Sequence, residues 1–244
     1  MNFLDYDTTI LIPRYIRSIW RNTLLGRTPR PQEPSTQMNR PSNIRNLLTF
    51  AVMIYSSMSA GQQVAPHDTI FDMGYYKSYY SYAHRAPSYV IYNMYKPRTK
   101  VARAGMQFWR LNGIPTFFYQ HSGYDRGHLC AAADRAESRQ AMYSTFCFVN
   151  IIPQTPALNR QVWKYYETYV RNLSQTDSLT IICGGCDWDS LRPYIPTRCF
   201  KLVWNHRTHS WVLSLIFQNS STPTVHDCDT LIKIFEDYDT RVNF

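Results

Sequence analysis

The order of strand-like and helix-like segments most limits what this chain can fold into. β-branched and aromatic residues mark strands at 88–95, 179–183, 199–204 and 211–217. Helical spacing of apolar residues marks only 157–173 and 227–238. Strands and helices therefore do not alternate regularly, which favours an α+β fold over a doubly wound α/β sheet.

The middle of the chain gives weaker patterns. Glycines and prolines in 101–124 predict loops, and the apolar segment 144–151 predicts a buried strand. We expect 125–128 to lie in a loop, where Gly127 would permit an unusual turn and let a ligand approach the backbone. At 244 residues, one domain with one sizeable core is the simplest interpretation.

The first sixty residues differ from the rest of the chain. Prolines crowd 1–37, which we interpret as an unstructured upstream extension. A basic stretch, a short apolar run and small residues make 38–60 a predicted signal peptide, too short to span a bilayer. A buried or amphipathic helix and an organelle-targeting leader are the alternatives. The domain would then span 61–244, in a secreted or periplasmic protein.

Charge and cysteine content bear on partners and location. The net charge is +9, and 61–244 keeps +5 because the first sixty residues hold seven arginines and three acidic residues. A positive surface attracts polyanions without specifying a fold. All six cysteines follow residue 60, and an even number in an exported protein predicts disulfides. We interpret the Cys183-Gly-Gly-Cys186 motif as structural, because neither a second zinc-ligand pair nor a thioredoxin-like context accompanies it.

The residues with chemical meaning lie between 125 and 167. Arg126 and His128 put a fixed cation beside a base, and phosphodiester hydrolysis needs a group that deprotonates water and positive charge where the phosphorane forms. An isolated histidine would more often be structural. Asn159 and Glu167 lie eight residues apart on one predicted helix, roughly 12 Å along its axis and nearly on one face.

Asn159 and Glu167 cannot bind one ion equally well. Side chains on a helix lean towards its N-terminus, so Glu167 leans back towards Asn159. We expect Asn159 to contact a divalent metal ion, and Glu167 to reach a water of that ion or an arginine. A neutral amide oxygen with several waters suits Mg²⁺. Taken alone, Asn159 would be interpreted as a helix cap.

A longer pattern of spaced residues contains these candidates. Its elements are Asp125-Arg-Gly-His128, Asn150, Pro153-Gln154, Leu158-Asn159, Trp163 and Glu167. The pattern resembles the DNA/RNA non-specific endonucleases with a DRGH motif, the Serratia nuclease and endonuclease G family. A weaker similarity runs from about residue 86 to the C-terminus. The resemblance implies a ββα-metal (His-Me finger) nuclease core within a single mixed α/β domain around an antiparallel sheet.

The same resemblance implies a role for each matched residue. His128 would be the general base, and Asn159 would hold the metal ion, Mg²⁺ or Mn²⁺. Glu167 would hold waters of the metal or orient an arginine. Asn150 would position the attacking water or the region of His128.

Two arginines complete the implied site. Arg126 would contact a phosphate, and an upstream arginine would stabilise the transition state. Arg103 is the first candidate for that upstream position, with Arg98 and Arg110 as alternatives. The chain departs from the family pattern at Cys130 and at Cys147, which leaves open a disulfide near the site.

The implied activity is hydrolysis of DNA and RNA to products with 5′-phosphate and 3′-hydroxyl ends. His128 has to be neutral to act, so activity should rise through a pKa near 6.5 if that pKa is unperturbed. Contacts confined to phosphates would make cleavage indifferent to the sugar.

Several partners and rival functions remain open at the level of the sequence. Candidate partners are nucleic acid, a second copy of the chain in a homodimer, and an inhibitor or immunity protein. The rival functions are a catalytically inactive relative that only binds nucleic acid, a delivered toxin or DNA-uptake nuclease with the same chemistry, and a redox protein built on Cys183 and Cys186.

Overall fold

Nine strands account for most of the regular structure in this computed structural model, which describes residues 67–96 and 100–239. The strands are β1 (Thr69–Asp72), β2 (Lys77–Ser81), β3 (Ala86–Met94), β4 (Asp125–His128), β5 (Ile151–Gln154), β6 (Leu179–Trp188), β7 (Pro196–Asn205), β8 (Ser210–Gln218) and β9 (Val225–Asp227). Seven of them form one sheet in the order β1-β2-β3-β6-β7-β8-β9. Every neighbouring pair in that sheet is antiparallel.

The remaining two strands, β4 and β5, form a small antiparallel sheet of their own. Short helical segments surround it: two 3-10 turns (Ala132–Arg135 and Phe148–Asn150), helix α1 (Arg139–Ser144), a π-helical turn (Leu158–Trp163) and helix α2 (Lys164–Leu173). Helix α3 (Asp229–Asp239) is the last described element. β4, β5 and α2 together make a ββα unit.

The two faces of the large sheet pack against different neighbours. Residues opposite each other in an antiparallel pair point to the same face, and the next pair points to the other. Ile182 and Leu202 are such a pair, and they join an apolar cluster with side chains of α3. The adjacent pair, Cys183 and Lys201, faces the ββα unit, where the Lys201 ammonium lies over the ring of Trp163.

Helix α2 follows from the spacing of apolar residues. Tyr166 and Val170, one turn apart, are buried, while Lys164 and Thr168 are exposed. The helix predicted at 157–173 is confirmed, except that its first turn is π-helical. Single π turns inside helices occur frequently at functional sites.

The α+β prediction is confirmed. Each strand predicted at 88–95, 179–183, 199–204 and 211–217 coincides with β3, β6, β7 or β8, and the helix predicted at 227–238 coincides with α3. The predicted extension at 1–37, the predicted signal peptide at 38–60 and Arg98 lie outside the described residues. Among the residues described, no helix is long and apolar enough to cross a membrane.

The strand predicted at 144–151 is wrong. Ser144, the first residue of this segment, is the last residue of α1, and a 3-10 turn occupies 148–150. Polar side chains bind backbone carbonyls and hold the segment in turns. The Thr145 hydroxyl donates to the Met142 carbonyl at 2.7 Å, and the Asn150 Nδ2 donates to the Thr145 carbonyl at 2.8 Å.

The loop predicted at 125–128 is also wrong, because these residues form β4. Gly127 pairs with Ile152 in the ladder and does not have a positive φ. A Cβ built on Gly127 would lie 2.6 Å from Cδ of Gln154. The side chain of Gln154, and not a ligand, therefore occupies the space beside Gly127 where a Cβ would lie.

The predicted disulfides are absent from the described residues. All six cysteines lie in that part of the chain, and all six are buried. Burial raises the pKa of the Cys183 and Cys199 thiols to about 12, so both stay protonated. Cys183 and Cys186 are three residues apart in β6 and point to opposite faces of the sheet. They cannot bind one ion together, which agrees with a structural interpretation of the motif.

Candidate active site

A cleft of about 830 Å³ opens beside the ββα unit. It is lined by Lys100, Val101, Arg103, Arg126, His128, Ala131, Ala132, Ala133, Ala136, Met142, Asn159, Arg160, Lys164, Glu167 and Arg171. Five of the six residues proposed from the sequence are in this set, and Asn150 is the exception. His128 and Asn159, which come from different elements, therefore share one cleft.

His128 ends β4 and is half-buried. Phe108 and Phe146 pack against its ring, with centroids 5.4 and 5.1 Å away. Its Nε2 is buried and has no hydrogen-bond partner among the described residues. The ring also makes a hydrogen bond with the backbone of Arg126. An imidazole nitrogen without a partner in a cleft is available to accept a proton.

The environment of His128 favours its neutral form. Burial lowers its pKa to about 3, and the nearby positive charge of Arg103 acts in the same direction. The backbone hydrogen bond opposes this shift without cancelling it. The value near 6.5 expected for an unperturbed histidine therefore does not apply.

Asn150 lies behind the cleft and is fully buried. Its Oδ1 accepts a hydrogen bond from the Cys130 backbone N–H at 2.8 Å, and its Nδ2 donates to the carbonyls of Cys130 and Thr145, each at 2.8 Å. Its own carbonyl accepts from the Leu129 N–H at 3.0 Å. These bonds tie the backbone that follows His128 to the start of β5.

Asn159 is oriented by a carboxylate. Its Nδ2 donates to Oδ2 of Asp125 at 3.0 Å. Arg160 holds the same carboxylate with two hydrogen bonds of 2.7 Å each. Arg160, and to a smaller extent Asn159, lower the pKa of Asp125. With the amide nitrogen bonded in this way, Oδ1 of Asn159 is the atom left to bind a cation.

Glu167 lies on α2 and lines the same cleft. Burial raises its pKa to about 7, while the positive charges of Lys201 and Arg171 oppose that shift and Asp134 adds to it. Arg171 is itself paired with Asp134 at 2.6 Å. A nearby cation would favour the ionised carboxylate.

The cleft is strongly cationic. Two of its six cations, Arg160 and Arg171, are in ion pairs. The other four form no ion pair with any described residue; they are Lys100, Arg103, Arg126 and Lys164. A concave surface with unpaired positive charge attracts phosphates.

The arginine candidates separate clearly in the structure. Arg103 and Arg126 line the cleft, and both also line a smaller adjoining pocket. The Arg103 guanidinium lies over the Phe146 ring at 4.9 Å, and that of Arg126 over Phe108 at 5.1 Å. Arg110 is stacked on another aromatic ring and does not line the cleft. The family pattern named Arg103 first but left Arg110 as an alternative, and only Arg103 of these two lines the cleft.

Sequence reasoning missed the residues that support the site. Asp125 belongs to the motif, but the sequence suggested no role for it. In the structure Asp125 begins β4, and its carboxylate orients the amide of Asn159. Lys100 and Lys164 were missed because single lysines carry no pattern. Trp163 was matched but not interpreted; its Nε1 donates to the His128 carbonyl at 3.2 Å.

Comparison with known proteins concerns the family and the fold of the chain. The sequence profile of the family described as DNA/RNA non-specific endonuclease matches residues 57–239, more than half of the chain. The chain belongs to this family. The family match thus supports the fold class that the motif implied, over residues 57–239.

Several curated nucleases are similar to parts of the chain. Bovine mitochondrial endonuclease G is 45% identical over 67 residues, which cover 28% of this chain and 22% of the bovine protein. A nuclease of Nostoc sp. is 45% identical over 67 residues, covering 27% and 24%. Zebrafish mitochondrial nuclease EXOG is 32% identical over 114 residues, covering 43% and 33%. The matches thus span about a third or less of these relatives' lengths.

A solved structure confirms the fold. The crystal structure of the EndoG/EndoGI complex matches 64% of this chain and 77% of its own chain, with a TM-score of 0.55 and 22% sequence identity. The prediction of an α+β nuclease fold of the endonuclease G type is confirmed. At this identity the likeness concerns the fold and not the activity.

Proposed function

We propose that this chain is a metal-dependent endonuclease that hydrolyses phosphodiester bonds of DNA and RNA with little sequence or sugar specificity. The observation that carries the proposal is the shared cleft of His128 and Asn159. His128, whose Nε2 has no partner among the described residues, and Asn159, whose amide is oriented by Asp125, line the same cationic cleft. Membership of the endonuclease family supports the same conclusion.

The residues present fit a hydrated divalent cation. Among residues 67–96 and 100–239, no group of three or more His, Cys, Asp or Glu side chains could hold a metal ion by itself. The available donors are the amide oxygen of Asn159 and, eight residues further along the same helical segment, the carboxylate of Glu167. A small number of oxygen donors suits Mg²⁺ or Mn²⁺, because such an ion keeps most of its bound waters. Such an ion would neutralise negative charge on the phosphate and the leaving oxygen.

In this proposal His128 is the general base. Its hydrogen bond with the Arg126 backbone would keep the ring proton on Nδ1 and leave the Nε2 lone pair for a water proton. The lowered pKa keeps the ring neutral over the physiological range. Asn150 would act as a positioning residue for His128, through its bonds to the following backbone.

The arginines supply fixed positive charge in the proposal. Arg126 would contact a non-bridging phosphate oxygen, and Arg103 would stabilise the negative charge that builds up on phosphorus. Glu167 would order waters near the Asn159 oxygen. Each of these side chains lines the cleft. Contacts to phosphate alone would let the cleft accept both DNA and RNA.

The decisive experiment incubates the purified full chain with supercoiled plasmid DNA and with single-stranded RNA. Cleavage of both should stop in EDTA and return with added Mg²⁺ or Mn²⁺. Because cationic side chains carry the binding, affinity should fall steeply as salt rises from 50 to about 200 mM.

A matched pair of variants excludes a contaminating nuclease. His128→Ala should lose the activity, and His226→Ala should keep it, because His226 is exposed in β9 and outside the cleft. Binding without cleavage at any concentration of metal would identify an inactive nucleic-acid-binding relative instead.

Partners and location form the finer part of the proposal. We propose nucleic acid as the partner of the cleft, and keep a homodimer and an inhibitor or immunity protein as predictions. Sedimentation equilibrium tests the dimer. For location, secretion or export to the periplasm competes with an organelle-targeting leader, and several relatives are named as mitochondrial. Sequencing the mature N-terminus after cell fractionation separates these alternatives.

A further inference from the structure

A lysine is buried beneath the cleft, at a position where burial of its charge costs free energy. Lys201 lies in the middle of β7 and is only 1% exposed. Its backbone neighbours across the ladder are Cys183 in β6 and Leu215 in β8, so strands flank it on both sides. A buried ammonium destabilises a fold unless something compensates for its lost hydration, and a central strand gives it no path to solvent.

The compensating group is the indole of Trp163. The Nζ of Lys201 lies 4.3 Å from the centre of that ring, within the range of a cation–π contact. Within the part of the chain that the structure describes, Lys201 forms no ion pair. The thiols on its own face, Cys183 and Cys199, are kept neutral by burial and do not balance its charge.

Trp163 connects the two halves of the proposed site. It is fully buried at the end of the π-helical turn that carries Asn159, and its Nε1 donates to the backbone carbonyl of His128 at 3.2 Å. Phe217 packs edge-on against the ring at 5.1 Å. The ring is therefore held by Lys201 over its face and by Phe217, and it in turn links the strand of the base to the helix of the amide.

We propose that Lys201 is a positioning residue for the cleavage reaction: its cation–π contact fixes the Trp163 indole, which sets the position of His128 relative to Asn159. This inference rests on the proposed function. The positive charge of Lys201 also reaches Glu167 and acts against the burial of that carboxylate. Both effects act on residues that belong to the cleft or support it.

A methionine at this position separates positioning from stability. Methionine has nearly the length of lysine, and replacing a buried charge with a similar apolar side chain is often neutral or stabilising. In the full chain, K201M should keep or raise Tm while kcat falls at least tenfold and KM changes less than twofold. K201R, which keeps the cation, should retain more kcat than K201M. K233M, the same substitution at an exposed position of α3 away from the cleft, should leave kcat unchanged.

A double-mutant cycle tests whether the effect passes through the indole. W163F removes the N–H and weakens the cation–π contact. K201M/W163F should lose no more kcat than W163F alone, because both changes break one chain of contacts. If the double variant instead loses kcat by the product of the two single-variant factors, the proposal is overturned. A K201M protein that is less stable or unfolded would also overturn it, because that result assigns Lys201 to the fold.

A readout independent of catalysis separates this inference from the proposed function. The indole N–H of Trp163 should exchange with solvent at least tenfold faster in K201M than in the unsubstituted chain, as measured by NMR. Unchanged exchange overturns the proposed contact even if the chain is an active nuclease. Faster exchange in a chain that cleaves nothing would support the contact and refute the nuclease function.

Discussion

The two faces of the large sheet bury different kinds of side chain. The face towards α3 buries apolar groups, among them Ile182, Phe200, Leu202, Leu231 and Phe235. The face towards the cleft also buries apolar groups, among them Val203, Leu215 and Phe217, but the same strands bury the ammonium of Lys201 there. Apolar burial stabilises by roughly 25 cal/mol per Å², whereas a buried polar group costs free energy unless it is bonded. Both faces therefore supply apolar burial, and the face towards the cleft also holds a buried charge.

The largest effect should come from the cleft. His128→Ala removes the proposed base and Asn159→Ala removes the proposed metal ligand, so each should lower the cleavage rate by about 10²- to 10⁴-fold. Neither should lower Tm appreciably. Initial rates on plasmid DNA and thermal unfolding measure the two effects. Complete degradation of plasmid by either purified variant would contradict the assignment.

A substitution on the α3 face should give the opposite result. Leu231 is fully buried in the apolar cluster, so Leu231→Ala should lower the free energy of unfolding by about 2–5 kcal/mol. The activity of the folded fraction should stay unchanged, because no group of the cleft moves. Urea unfolding and kcat below the transition measure both. A loss of kcat in fully folded protein would show that the two faces are coupled.

Glu167→Gln should have an intermediate effect on activity and a distinct effect on stability. The loss of activity should be smaller than for His128→Ala, because Glu167 acts through water. Burial raises the folded-state pKa of Glu167 to about 7, above the value near 4.5 in the unfolded chain. The wild-type chain therefore loses stability relative to Glu167→Gln as pH rises from 4.5 to 7. Unfolding of the metal-free proteins across this range tests the sign.

The smallest expected effect is that the imidazole of His128 shows no titration near neutral pH. The pKa of His128 is lowered to about 3, so its imidazole should stay neutral between pH 8 and 5. The unfolded chain binds this proton below pH 6.5 and the folded chain does not, so His128 makes stability fall as pH drops from 6.5 to 3. NMR shifts of the ring protons in metal-free protein measure the titration. A His128 midpoint above pH 6 would refute the burial argument.

Local patterns were sufficient where one side-chain property repeats along an element. The strands β3, β6, β7 and β8 and the helix α2 follow from such patterns, and so do His128, Asn159 and Glu167 once the spaced motif is matched. The segment 144–151 failed because its apolar content resembles a strand, while the hydrogen bonds of Thr145 and Asn150 hold it in turns.

Spacing in the sequence placed a base, an amide and a carboxylate in one motif, because the residues of a short ββα unit are close along the chain. Only the tertiary structure decided which groups surround them. Lys201 lies 73 positions beyond His128 in the sequence, and Trp163 connects the two in space. The neutral state of His128 and the protonated thiols of Cys183 and Cys199 likewise depend on burial, which is a property of packed surfaces and not of any local pattern.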